Sequence, residues 1–210
     1  MNTKNDPIET LSEIRTMMER SSRFISLSGL SGVSAGIFAV AGALCVWIFG
    51  EYNSVGHYSP LQYEHYISGN IYPWFSIVVA MLVLTCAIIS GIYFTTRSAR
   101  KKGLPMWDNT SKRLVVNLFI PLAAGGIFAL ILISKGYFEL VAPITLLFYG
   151  IALLNGSKFT LEEIKYLAYT EIVLGLIAAY FTGLGLLFWT LGFGICHIVY
   201  GIKMYYKYER

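Results

Sequence analysis

The chain has 210 residues, of which 56% are hydrophobic and 13% charged, with a formal net charge of +4, against roughly 25% charged in an ordinary soluble domain. Mean hydropathy is +0.60, and the apolar residues fall in long blocks. These figures exclude soluble enzymes, secreted disulfide scaffolds and nucleic-acid-binding proteins, and they predict an integral membrane protein.

At the start of the chain, Asp6-Pro7-Ile8-Glu9 combines a capping residue, Pro at the first helical position and Glu at the third, which opens a helix. Ile8, Leu11, Ile14 and Met18 follow at helical spacing, so residues 1–23 read as an amphipathic cytoplasmic helix lying on the membrane surface or docking on a partner. A span needs about 20 largely apolar residues. Six stretches qualify, at 24–50, 71–96, 114–134, 138–155, 161–181 and 184–202. Ala39-Val-Ala41 resembles a signal-peptidase site, but the apolar run continues past it and the preceding segment is too long and acidic, so an uncleaved first helix is expected. In Thr160-Leu-Glu-Glu163, Thr160 at the cap and Glu163 three residues on form a capping box, which starts the fifth helix near Leu161.

Fifteen of the sixteen Lys and Arg residues fall before span one, between spans two and three, between four and five, and after six, leaving Lys135 alone on the other side. The positive-inside rule then puts both termini in the cytoplasm. The fold class is an all-α polytopic bundle of six transmembrane helices arranged as three in–out–in hairpins, with residues 24–206 forming the membrane domain and 207–210 a short cytoplasmic tail. The Lys135-Gly136 and Thr182-Gly183 turns are short enough to make antiparallel neighbours. Ala35-Gly-Ile-Phe-Ala-Val in span one is echoed by Gly125-Gly-Ile-Phe-Ala-Leu in span three, a weak sign of parallel repeats.

Small residues let membrane helices approach closely. Ser28, Gly29, Gly32 and Gly36 form such a surface on span one, Ala168, Gly175 and Ala179 on span five, and Gly194 and Gly201 on span six. They predict a compact bundle and would also suit a homo-oligomer.

Ionisable groups inside a bilayer are costly, at least about 2.5–3.5 kcal/mol at its centre. Glu171 and His197 are the two well inside spans. Each lies six residues, about 9 Å of helix, from its flanking cation (Lys165 or Lys203). The hairpin turns midway between them, so they share a depth, and both face small residues; a contact, direct or through water, is expected. Asn117 and Asn155 are level by the same reasoning on the preceding hairpin. Pro121 removes the amide that would bond the Asn117 carbonyl, in a helix then interrupted by Gly125-Gly126. Together with Ser26 and Thr95, these residues predict a polar layer in the cytoplasmic half. The layer reads either as a ligand or proton site or as hydrogen-bonded glue between helices.

His57, Glu64 and His65 in the outer loop 51–70 are weak metal candidates; its tyrosines read more simply as interfacial anchors, and no metal or cofactor is expected. The Arg97–Lys102 cluster with Trp107 suits anionic lipid headgroups. Cys45, Cys86 and Cys196 lie within spans and imply no disulfide. With no HExxH, GxSxG or phosphate-binding loop, catalysis is not expected.

The segment Ile14-Arg-Thr-Met-Met-Glu-Arg-Ser-Ser-Arg-Phe-Ile-Ser-Leu-Ser-Gly-Leu-Ser-Gly32 resembles the start of uncharacterised bacterial six-span membrane proteins, and Gly192-Phe-Gly-Ile-Cys-His-Ile-Val-Tyr-Gly201 is similar to the same group. The resemblance implies a bacterial inner-membrane location and brings no known substrate. The function expected from the sequence is a non-catalytic interaction or regulatory membrane module, docking a cytoplasmic protein partner or a second copy. The alternative is a small transporter or ligand- or proton-binding protein that uses the polar layer.

Overall fold

The computed structural model describes residues 27–54, 71–103 and 107–210. The amphipathic helix expected within residues 1–23, Ser26, and the outer-loop residues His57, Glu64 and His65 lie outside the described residues. Every regular element among those described is helical. They are α1 (Gly29–Ser54), α2 (Ile71–Lys101), α3 (Asn109–Ser134), α4 (Val141–Gly156), α5 (Glu163–Tyr180), α6 (Gly185–Trp189), a π-helical segment (Thr190–Cys196) and α7 (His197–Tyr208). Three-residue 3-10 turns precede α4, follow it, and precede α6.

Five stretches are long and apolar enough to cross a membrane: Gly29–Phe49, Trp74–Lys101, Asn109–Ser134, Phe138–Phe159 and Thr182–Tyr208. The protein is therefore a helical, multi-pass membrane protein by length and composition. The 18-residue α5 is not among the five, because Glu163, Lys165 and Glu171 all fall within its 18 residues. Large apolar side chains such as Trp74, Ile89, Phe119, Leu130 and Leu176 point outward, as expected where the surroundings are lipid rather than water.

The helices pack where glycines remove side chains. Gly36 of α1 faces the Gly194 carbonyl of the π segment, and Gly32 faces the His197 carbonyl and Gly201 of α7. A Cβ on Gly201 would stand 2.6 Å from the Val33 amide nitrogen. On the other side of the bundle, Gly175 of α5 abuts Pro143 and Leu147 of α4, while Gly150 of α4 abuts Ala168 and Ile172 of α5, so these two run antiparallel. Gly125 of α3 meets Phe148 of α4, and Gly156 meets Leu114 and Leu118. The predicted packing glycines Gly29, Gly32, Gly36, Gly175, Gly194 and Gly201 are all occupied by this chain's own helices. On α5 Ala168 and Gly175 are buried as expected, and Ala178 is buried in place of Ala179, which is exposed. α2 packs mainly on α1, and only 6% of its most apolar stretch is buried.

Local chemistry fixes the helix starts. Asp108 caps α3: its Oδ1 accepts from the Ser111 amide and hydroxyl, both at 2.6 Å, and its own amide donates back to the Ser111 hydroxyl. The Ser111 hydroxyl, then the Ser111 amide, hold the Asp108 carboxyl below the usual carboxylate range. Asp108→Ala should cost about 0.5–2 kcal/mol. A lowered carboxyl contributes above its ordinary range and stops contributing as pH falls through the lowered value. The loss should therefore be seen at neutral pH and shrink in acid, as unfolding midpoints of the two proteins at both pH values would show.

The fifth helix is regular from Glu163 and is entered by a turn from Leu161, in which Ile164 N–H donates to the Leu161 carbonyl and Lys165 N–H to that of Glu162. The expected capping box is not what occupies Glu163. Its Oε1 accepts from Lys207 Nζ at 2.6 Å and its Oε2 from the Tyr208 hydroxyl at 2.9 Å, while the Thr160 amide donates to Ser157. A buried carboxylate gains more from a cation and a phenol than from one backbone amide. The next residue, Glu209, reaches the start of α1, where its carboxylate accepts from the Gly29 amide and the Ser28 hydroxyl. A carboxylate at a helix N-terminus is favoured by the unpaired amides and the helix dipole. The end of α7 thus clasps the N-terminal ends of α5 and α1 together.

Candidate functional site

Three helices bring three polar side chains to one place. Glu171 on α5 is 0% exposed and His197 at the start of α7 is 7% exposed. Glu171 Oε1 lies 3.4 Å from His197 Nδ1. Tyr149 on α4 completes the group, with its hydroxyl 2.8 Å from His197 Nε2. The rings of Tyr149, Phe193 and His197 lie against one another at 5.0–6.0 Å between centroids, and Trp189 adjoins Phe193. The wall is therefore aromatic and apolar, and the interior is polar.

The backbone is shaped to let Glu171 in. A Cβ on Gly192 would stand 2.5 Å from Glu171 Oε2 and 2.5 Å from Leu146 Cδ2; only glycine leaves room for the carboxyl. Gly192 belongs to the π-helical segment, and such wide turns recur at functional sites. Its carbonyl oxygen lies 2.9 Å from His197 Nδ1.

That contact settles the tautomer. A carbonyl only accepts, so Nδ1 carries hydrogen and donates to Gly192. In the neutral ring Nε2 is then an acceptor, and the Tyr149 hydroxyl donates to it. Both ring nitrogens are committed, whereas neither Glu171 oxygen has a hydrogen-bond partner among the described residues. A buried carboxylate in that position costs several kcal/mol unless a proton or cation neutralises it. Among the described residues no three His, Cys, Asp or Glu side chains gather as a metal-holding group.

The asparagines sit elsewhere. Asn155 Nδ2 donates at 3.1 Å to the Asn117 backbone carbonyl, and the Asn117 side chain donates to the Arg113 carbonyl. The oxygen freed by Pro121 is thus filled by the neighbouring helix, closing α3 on α4. The two Asn residues are level with each other, but no hydrogen bond joins them to Glu171 or His197 among the described residues. Within the expected polar layer, the Asn117–Asn155 contact and the Tyr149–His197–Glu171 group are thus separate hydrogen-bonded units.

Tyr149 was not singled out in the sequence, although the signal was there. Residues 149 and 171 are equidistant from residue 160, in the α4–α5 connection, just as 171 and 197 are equidistant from 184. No protein-family model, curated protein or solved structure matches this chain.

Proposed function

We propose that this chain is a non-catalytic, six-span protein of the bacterial inner membrane that works by binding a proton at Glu171, as a small proton-responsive or proton-coupled transport protein. One observation carries the reading: a fully buried carboxyl without a hydrogen bond among the described residues, beside an imidazole whose two nitrogens are both engaged. Structural glue would be expected to satisfy the group it employs, as the Asn155–Asn117 contact does. A buried ionisable group without such satisfaction is a functional site by default in a membrane protein.

The six-span topology rests on α5. It lies antiparallel to α4 along its length, and its outward side chains Val173, Leu176 and Tyr180 are exposed and largely apolar. Its charged residues are at the cytoplasmic end or turned inward, which supports a fifth crossing with both termini cytoplasmic. The exposed Arg97, Arg100, Lys101 and Lys102 then meet anionic headgroups. The interaction-module reading, with a cytoplasmic partner or a second copy, loses one support because the glycine surfaces are filled from within the chain.

Proton binding should make stability in lipid nanodiscs depend on pH. One proton bound differently in the folded and unfolded states gives a slope of up to about 1.4 kcal/mol per pH unit. Glu171→Gln keeps the shape and removes the titration, so its curve should be flatter by that amount. Identical slopes in the two proteins would end the proposal.

A further inference from the structure

One N–H in the site has two acceptors within reach. His197 Nδ1 is 2.9 Å from the Gly192 carbonyl and 3.4 Å from Glu171 Oε1. It has one hydrogen to give, and the two acceptors lie on different elements.

We propose that His197 reports the proton on Glu171 by moving its Nδ1–H between the Gly192 carbonyl and Glu171 Oε1, and so sets how the π-helical segment packs on α1. The inference rests on the reading of Glu171 as a proton site. With the carboxyl protonated, no charge competes for the imidazole hydrogen, which stays on Gly192, the arrangement seen here. When that proton leaves to cytoplasmic water, the carboxylate becomes the stronger acceptor, because charge-assisted hydrogen bonds are about twice as strong as neutral ones. The ring has to close 3.4 Å to a hydrogen-bond length, about half an ångström or a little more. His197 stays neutral throughout, with the Tyr149 hydroxyl still donating to Nε2.

The consequence falls on the backbone. With the imidazole drawn away, the Gly192 carbonyl is left to the backbone, where its donor in π-helical spacing is the His197 amide, five residues on, and its donor in α-helical spacing is the Cys196 amide, four residues on. The segment Thr190–Cys196 is π-helical in the present arrangement, so the switch favours its tightening. The same segment is the surface α1 rests on. A Cβ on Gly36 would stand 2.6 Å from the Gly194 carbonyl, and one on Gly32 would stand 3.3 Å from that of His197. With backbone against backbone, the segment cannot tighten without displacing α1.

Among the described residues, the other titratable groups facing Glu171 are few. α4 contributes Tyr149 and the π segment Cys196. α7 contributes His197, and its Lys207 and Tyr208 are held by Glu163. α6 (Gly185–Trp189) carries no titratable side chain.

Difference infrared spectroscopy across pH, on protein in nanodiscs with isotope-labelled histidine and His57 and His65 replaced by Asn, reads the carboxyl and imidazole signals together. Amide hydrogen exchange over residues 190–197 reads the segment. We expect the carboxyl signal, the imidazole signal and the exchange rate to change with one common midpoint, and Glu171→Gln to abolish all three changes. A carboxyl titration removed by Glu171→Gln, with the imidazole signal and the exchange both flat, would overturn the switch while leaving proton binding intact. Absence of any carboxyl titration assignable to Glu171 would overturn both. If Glu171→Gln does not fold, His197→Gln serves. The carboxyl should still titrate, and exchange at 190–197 should lose its pH dependence; retained dependence would refute the switch.

Discussion

Gly201→Val should separate α1 from α7 and lower stability by about 3 kcal/mol, the upper end of ordinary overpacking. The added Cβ would stand 2.6 Å from the Val33 nitrogen, 2.7 Å from the Gly29 carbonyl oxygen and 3.0 Å from the Gly32 carbonyl carbon. All three are backbone atoms, which cannot move aside as the tip of a side chain can, so relief requires the helices to part. Parting them also pulls Glu209 from the Ser28 hydroxyl and the Gly29 amide, uncapping α1. Gly126→Val is the control, since nothing lies within 4 Å of a Cβ there; it should fall within about 0.5 kcal/mol of the parent. Reversible unfolding in mixed micelles checks both, and equal losses in the two variants would contradict the packing described.

Tyr149→Phe removes one oxygen and leaves His197 Nε2 an acceptor with no donor, in a site where water is scarce. An unsatisfied buried polar group costs about 1–3 kcal/mol, and the ring packing against Phe193 and His197 is retained, so the loss belongs to the hydrogen bond. The expected destabilisation is about 2 kcal/mol, near the middle of that range. In a His197→Leu background the orphaned nitrogen no longer exists, and the same substitution should cost well under half as much. A double-mutant cycle measures the difference directly. Additive losses would mean that the Tyr149–His197 contact is not energetically real.

The sequence reading of depth worked because helix rise is constant. Residues equidistant from a short turn are level, whatever their identity, and so Glu171 came to face His197 and Asn155 came to face Asn117. The faces followed from glycine spacing, which marks where backbones touch. Tyr149 escaped because a tyrosine in an apolar helix reads as an interfacial anchor until a buried imidazole is placed beside it. The π turn at Thr190–Cys196 left no mark in composition, since glycine and aromatic residues are ordinary in any membrane helix. Glu163 illustrates a different limit: the local pattern with Thr160 is a sound capping signal, yet Lys207 and Tyr208, 44 and 45 positions away, take the carboxylate. Local rules cannot weigh a competitor that only the fold brings near.

The contacts of α1 also constrain the order of assembly. Ser28 and Glu209 are 181 positions apart, and the glycine face of α1 closes on Gly194, His197 and Gly201. At about 5–20 residues per second of synthesis, that face waits roughly ten to thirty seconds for its partner. During that interval α1 leans on α2, its other main neighbour, and the pair can travel as a unit. A glycine face left open beside a nascent copy of the same chain can close on the wrong α7. Exchange of the α1–α2 pair between two copies is therefore the misassembly this topology invites, and its frequency should rise with the density of ribosomes on the message.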